Sequence, residues 1–285
     1  MDPVTLHGRL DHIAWEARGG GRRLPVLALH GLTDAAVGWW PALGGIAQTR
    51  RVVAVDARGH GDTALTDEPF SIAALAADAA RVVREVVGEP VVVVGHSMGG
   101  LVAEELALTE PDLVRAVVLE DPAWVAAHDP HDDRGVPVWL PEIIAASAGR
   151  TRDELVAASR AACPGWPDDE HEASGSARER LSAHLLDREH AWAERDWVEA
   201  MAGVRAPVTL ITGDTSCGAL VDAAQTARVA EALGDRFTNV PVPGVGHCIR
   251  RENRAAFVAA LEAALDAADA AAAVPAGGAL AGPTP

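Results

Sequence analysis

The chain contains no tyrosine at all, and only three phenylalanines and three cysteines in 285 residues. Cys163, Cys217 and Cys248 are too few and too scattered for a disulfide framework or a zinc site. No metal is therefore expected, and a reduced, cytoplasmic setting is. A chain of this length buries a substantial core without such staples. There is no run approaching the roughly 18 apolar residues of a membrane span. The first residues, Met1-Asp2-Pro3-Val4-Thr5, show no basic region leading into an apolar one, so no signal peptide and no membrane partner are expected. Basic residues are also in deficit, 24 against 41 acidic, for a net charge of −17. That balance disfavours nucleic acid and anionic membranes as partners and serves solubility. The missing tyrosine, beside abundant alanine and arginine, reflects compositional bias. Nothing in the pattern indicates an oligomeric state.

What is present alternates between strand and helix. Residues 4–10 and 12–15 form two short alternating segments before a glycine run at Gly19-Gly20-Gly21, which predicts an edge hairpin. Buried strands are expected at 25–29, 51–56, 91–94, 116–119, 208–212 and 237–242. Short helical pieces are expected near 41–47. Between Ser71 and Gly88 the apolar residues Ile72, Leu75, Ala76, Ala79, Val82, Val83 and Val86 recur at helical spacing, with Ser71 as N-cap and Gly88 as stop. Further helices are expected at 101–108, 222–233 and 252–265. Strands alternating with helices imply βαβ units with right-handed crossovers.

The rhythm breaks over residues 123–203. No valine-rich strand occurs there, while Trp124, Trp139, Trp166, Trp192 and Trp197 make up five of the eight tryptophans. Prolines punctuate short helical pieces, and residues 177–201 are expected to hold two longer helices. Because parallel strands resume afterwards, the segment is expected to be a helical insertion over the strand ends.

The strongest signal is Val91-Val92-Val93-Val94-Gly95-His96-Ser97-Met98-Gly99-Gly100. A buried strand, a Gly-x-Ser-x-Gly turn and a helix resemble the nucleophile elbow of the α/β-hydrolases. Three further motifs support the resemblance: His30-Gly31 after the first buried strand, Asp56-x-Arg58-Gly59-His60-Gly61, and Gly246-His247 after the last strand. The resemblance covers residues 1–265 apart from the insertion. It implies a mostly parallel, eight-stranded α/β sheet flanked by helices, with an inserted α-helical cap. The core would comprise residues 1–122 and 204–266 and the cap 123–203, and the Ala/Gly/Pro-rich residues 267–285 would form a disordered tail.

The resemblance also implies residue roles. Ser97 is the expected nucleophile, which needs a base to become reactive at neutral pH. His247 is that base, singled out by position from eleven histidines, while His30, His60 and His96 fall in structural positions. The acid position most used in the family is a Gly-x-x-Asp pattern after the strand at 208–212. Here Ser216 stands there, in Gly213-Asp214-Thr215-Ser216. The alternative location, after the strand that follows the elbow helix, carries Glu120-Asp121-Pro122. Asp121 at the strand tip is preferred, with Asp214 and Glu120 as alternatives. The backbone N–H groups of Leu32 and Met98 are expected to form an oxyanion hole. Gly31, Trp124 and Trp139 are expected to line the substrate site.

These expectations converge on a cofactor-independent serine hydrolase cleaving a small, largely apolar carboxylic ester or lactone through an acyl-Ser97 intermediate. A perhydrolase or haloperoxidase-like enzyme and a carbon–carbon bond hydrolase are alternatives on the same fold. A small-molecule receptor or inactive hydrolase relative is the alternative of another class. Aspartate-nucleophile chemistry is disfavoured by the serine at position 97.

Overall fold

Every residue of the strand Val91–His96 is buried, so the strand has no polar face to turn to solvent. Its side chains alternate between two apolar clusters. Val91 and Val93 pack with Leu27, Val53 and Leu101, whereas Val92 and Val94 pack with Ala28, Val118 and Phe257. A sheet apolar on both faces must be covered by helices on both.

The computed structural model, which describes residues 5–124, 130–192 and 195–273, meets that requirement. Its strands are β1 (Leu6–Leu10), β2 (Ile13–Arg18), β3 (Val26–Leu29), β4 (Val52–Val55), β5 (Phe70–Ser71), β6 (Val91–His96), β7 (Val114–Glu120), β8 (His190–Ala191), β9 (Val208–Thr212) and β10 (Phe237–Pro241). Eight of them form one sheet in the order β1-β2-β4-β3-β6-β7-β9-β10. β2 pairs antiparallel with both β1 and β4, and every other neighbour pair of the sheet is parallel. The expected edge hairpin and mostly parallel sheet are both present.

The helices are α1 (Trp40–Leu43), α2 (Ile72–Val82), α3 (Met98–Thr109), α4 (Leu140–Ser147), α5 (Arg152–Ala162), α6 (Asp168–Glu179), α7 (Trp197–Ala200), α8 (Ala223–Leu233), α9 (Ile249–Glu252) and α10 (Arg254–Ala273). Ser71 caps α2 by accepting from the Ala74 amide at 3.1 Å. A π turn over Val83–Val87 then carries the chain to Gly88, which stops it in the left-handed conformation at φ 82°.

Two expectations are corrected. The tail does not begin at residue 267, because α10 continues to Ala273. Asp269 explains the extension: it accepts from the Leu24 amide and from Arg50, both at 3.0 Å, while Ala268 is buried. Residues 274–285 of that expected tail lie outside the described residues. Residues 177–201, in turn, do not hold two longer helices. The long helices between β7 and β9 are α5 and α6 instead, and the chain after α6 is drawn to the core loops through its backbone. The Ser182 amide donates to Gly59 O at 2.9 Å and the His190 amide to Arg134 O at 2.7 Å, while the Phe70 amide donates to Glu189 O at 2.8 Å. Among the described residues after α6, a short 3-10 turn at Ala183–Asp187, the two-residue β8 and α7 stand in place of the expected helices.

Candidate active site

The turn between β6 and α3 places Ser97 at φ 54° and ψ −119°, a conformation L-residues rarely hold. Glycines make the turn possible. A Cβ at Gly95 would lie 2.1 Å from Gly99 O, and one at Gly99 would lie 2.0 Å from Leu29 O. The strand and helix backbones therefore approach as close as they can, and the Ser97 side chain projects into a cavity of about 360 Å³ at the strand ends.

His247 and Asp121 meet beside it. His247 Nδ1 donates to Asp121 Oδ2 at 2.7 Å, and both Ser97 and His247 line the cavity. Asp121 is fully buried and held on three sides. Its Oδ2 also accepts from the Leu220 amide at 2.8 Å, and its Oδ1 accepts from the Val221 amide at 3.0 Å. Such bonds fix the direction of the carboxylate.

The other two acid candidates point elsewhere. Asp214 accepts from the Gly244 amide at 2.6 Å and ties the loop after β9 to the loop after β10. Glu120, one pleat away from Asp121, faces the opposite side of the sheet. It accepts from the Arg250 backbone at 2.7 Å and from its guanidinium at 2.9 Å. Arg250 also reaches Asp34 at 2.5 Å and covers the Trp39 ring at 4.5 Å. Burial works against its charge, but Glu120, Asp34 and Glu170 outweigh that and raise its pKa. Because Arg250 lies three residues after His247, the Glu120 pair anchors the loop that carries the histidine.

The structural histidines hold the facing loop. His30 Nε2 accepts from the Ala57 amide at 2.9 Å, and its Nδ1 donates to Gly31 O at 2.8 Å. His60 Nε2 accepts from the Thr33 amide at 3.1 Å, and its Nδ1 donates to Arg58 O at 2.9 Å. These bonds orient the backbone around Leu32. His96 donates from Nε2 to His247 O at 3.1 Å, ring centroids 4.6 Å apart, and burial lowers its pKa well below the ordinary value.

Burial also lowers the His60 pKa from 6.5 to about 3. The unfolded chain then takes up that proton first, so stability is complete above pH 6.5 and is lost as pH falls towards 3. Acidification from pH 7 to pH 5 is expected to remove about 2 kcal/mol of unfolding free energy through His60. Urea titration at the two pH values checks this; an unchanged midpoint would contradict it.

The cavity walls separate the tryptophans. Trp139, Trp166 and Trp192 line it, together with Gly31, Leu32 and Met98. Trp124 does not, which corrects the expectation for that residue. It is buried in the core, and its indole N–H donates to Glu104 at 3.0 Å, because a buried indole needs an acceptor. Arg178, Arg251, Asp34 and Ser174 also line the cavity and were not anticipated. Ser174 and Arg178 are one turn apart on α6, a spacing that puts them on one face. Cys248 lines the cavity too, but burial pushes its thiol pKa up to about 11, so it remains protonated and a poor nucleophile. Among the described residues no cluster of His, Cys, Asp or Glu could hold a metal ion, and no helix is long and apolar enough to cross a membrane.

Comparison with known proteins agrees with this architecture. A profile described as the alpha/beta hydrolase family matches residues 26–261. RutD of Azorhizobium caulinodans, a protein named as a carbamate hydrolase, is 32% identical over 121 residues, covering 42% of this chain and 44% of that protein. The sn-1-specific diacylglycerol lipase ABHD11 of Mus musculus is 35% identical over 112 residues, 38% of this chain and 36% of that one. The chain thus spans less than half the length of these curated relatives. The crystal structure of a novel esterase from Mycobacterium tuberculosis superposes with a TM-score of 0.71 at 23% identity, over 93% of this chain and 91% of that one, a likeness of fold.

Proposed function

The chain belongs to the α/β-hydrolase family, and from that premise we propose that it is a serine hydrolase of small, largely apolar carboxylic esters or lactones. The observation that carries the reading is the relay from buried Asp121 through His247 to the cavity holding Ser97. With Nδ1 engaged by Asp121, His247 presents Nε2 to the nucleophile. Ser97 Oγ attacks the substrate carbonyl while its proton passes to Nε2, and the imidazolium then protonates the departing alcohol. Water, deprotonated by the same nitrogen, hydrolyses the acyl-Ser97 ester and restores the hydroxyl.

The oxyanion of each tetrahedral intermediate is assigned to the amides of Met98 and Leu32. Met98 is the first residue of α3, where a helix has backbone N–H groups without intrahelical acceptors. Leu32 faces the same cavity on a loop braced by His30 and His60. Removing one such donor typically costs about 3 kcal/mol of transition-state stabilisation. The tryptophan walls suit a flat or ring-bearing apolar group, and the cavity volume suits a small molecule.

A fluorophosphonate probe tests the reading directly. One equivalent is expected to attach at Ser97, located by peptide mass spectrometry, with loss of any esterase activity in proportion. Labelling of another residue, or none while ester turnover continues, would overturn it.

A further inference from the structure

The cavity over Ser97 contains a cation that no other described residue partners. Arg251 is occupied: it donates to Asp34 at 2.8 Å, lies 3.4 Å from Glu170 and covers the Trp166 ring at 4.9 Å. Asp34 is likewise shared between Arg251 and Arg250, which together hold its pKa down to about 2 despite burial. Arg178 stands apart. It lines the cavity, yet among the described residues no carboxylate lies within ion-pair distance of its guanidinium and no hydrogen bond engages it. Burial lowers its pKa, with Asp34 opposing and Arg251 adding to the effect.

A half-buried, unpaired guanidinium is a cost that packing alone would not retain. Its planar fork of donors matches a carboxylate in bidentate geometry. Ser174, one turn earlier on the same face of α6, adds a hydroxyl to the same wall. Trp139, Trp166 and Trp192 line the same pocket, so an anion entering it loses water and gains most from a fixed counter-charge.

Resting on the reading of the Ser97 cavity as a hydrolase site, we propose that the substrate carries a carboxylate apart from its scissile bond. Arg178 binds that carboxylate, assisted by Ser174, and so selects anionic over neutral substrates and positions the carbonyl at Ser97. The acid is of small-molecule size, with the remainder of its skeleton against the tryptophans.

The test compares the 4-nitrophenyl esters of succinic acid (the hemisuccinate) and valeric acid, which are similar in length and differ in charge, and adds calorimetric titration of succinate. Wild-type protein is expected to prefer the hemisuccinate in kcat/KM. Arg178→Met should lower hemisuccinate turnover by roughly 30-fold or more, mainly through KM, with valerate turnover within threefold of wild type. Arg178→Lys should recover part of the loss. Succinate binding should persist in Ser97→Ala and disappear in Arg178→Met, whose melting temperature should not fall, since the side chain makes no pair to break. Equal effects of Arg178→Met on both esters, or succinate binding indifferent to residue 178, would overturn the anion site. If succinate binds through Arg178 while neither ester is cleaved, the anion site stands and the hydrolase reading fails. If both esters are cleaved without dependence on Arg178, the hydrolase reading stands and the anion site is wrong.

Discussion

Ser97→Ala is expected to lower kcat for any cleaved ester by about 10⁵- to 10⁶-fold, the scale on which triad hydrolases lose activity with their nucleophile. Stability should change by less than about 1 kcal/mol, the usual range away from packing and network sites. The left-handed conformation is kept by an alanine at similar cost, and Ser97 makes no side-chain cap bond to α3. What remains in the variant is the binding cavity and the two proposed oxyanion amides, which alone leave a small residual rate over water. Cys248 is a poor substitute nucleophile. It shares the cavity but keeps its proton, with a thiol pKa near 11. Initial rates against a panel of 4-nitrophenyl esters, with thermal melting as the folding control, decide the matter. Activity above one part in a hundred would show that Ser97 is not the attacking group.

The elbow was legible because its constraints are local. Four valines report a strand buried on both sides, and glycines flanking a serine report backbones too close for a Cβ. The helix over 72–82 was legible for the same reason, since its cap, its period and its stop are all adjacent in sequence. Asp121 was a different case: the strand alternation that separates it from Glu120 could be read, but its bond to His247 spans 126 positions.

The segment between β7 and β9 resisted reading because its chain is held by long-range backbone bonds that no side-chain pattern announces, such as Ser182 to Gly59. Tryptophan count alone could not sort wall from core. Trp124 went to the core because Glu104 waits there for its N–H, whereas Trp166 and Trp192 reached the cavity. Arg178 was hidden more thoroughly. It lies among Glu172, Glu179 and Arg180, a run that looks like an ordinary solvated helix face. The i, i+4 pairing with Ser174 was visible, but nothing in sequence marked which face of α6 turns towards Ser97. Only the fold separates an arginine with partners, such as Arg254 between Asp169 and Glu170, from one without.

Asp121→Asn should reduce kcat by about 10⁴-fold, as expected where the triad acid sets the histidine tautomer. The carboxylate has two oxygens for three donors: His247 Nδ1 and the Leu220 amide on Oδ2, and the Val221 amide on Oδ1. An asparagine has one acceptor and an NH₂ group, so one orientation opposes two N–H donors and the other opposes one. The ring can relieve the conflict by moving its proton to Nε2, and that is the nitrogen needed to accept from Ser97. The same mismatch leaves a buried donor unsatisfied and should cost about 1–3 kcal/mol of stability. Asp214→Asn provides the contrast. Its oxygen holds only the Gly244 amide, and asparagine can make that bond, so kcat should stay within a few-fold of wild type. Measuring kcat for both variants at pH 7 and pH 9 separates the assignments. A base that lacks its acid partner recovers little at high pH, because the fault is the position of the proton and not its affinity. If Asp214→Asn is the crippled variant and Asp121→Asn the active one, the relay runs through the other loop and the 2.7 Å contact between Asp121 and His247 is structural.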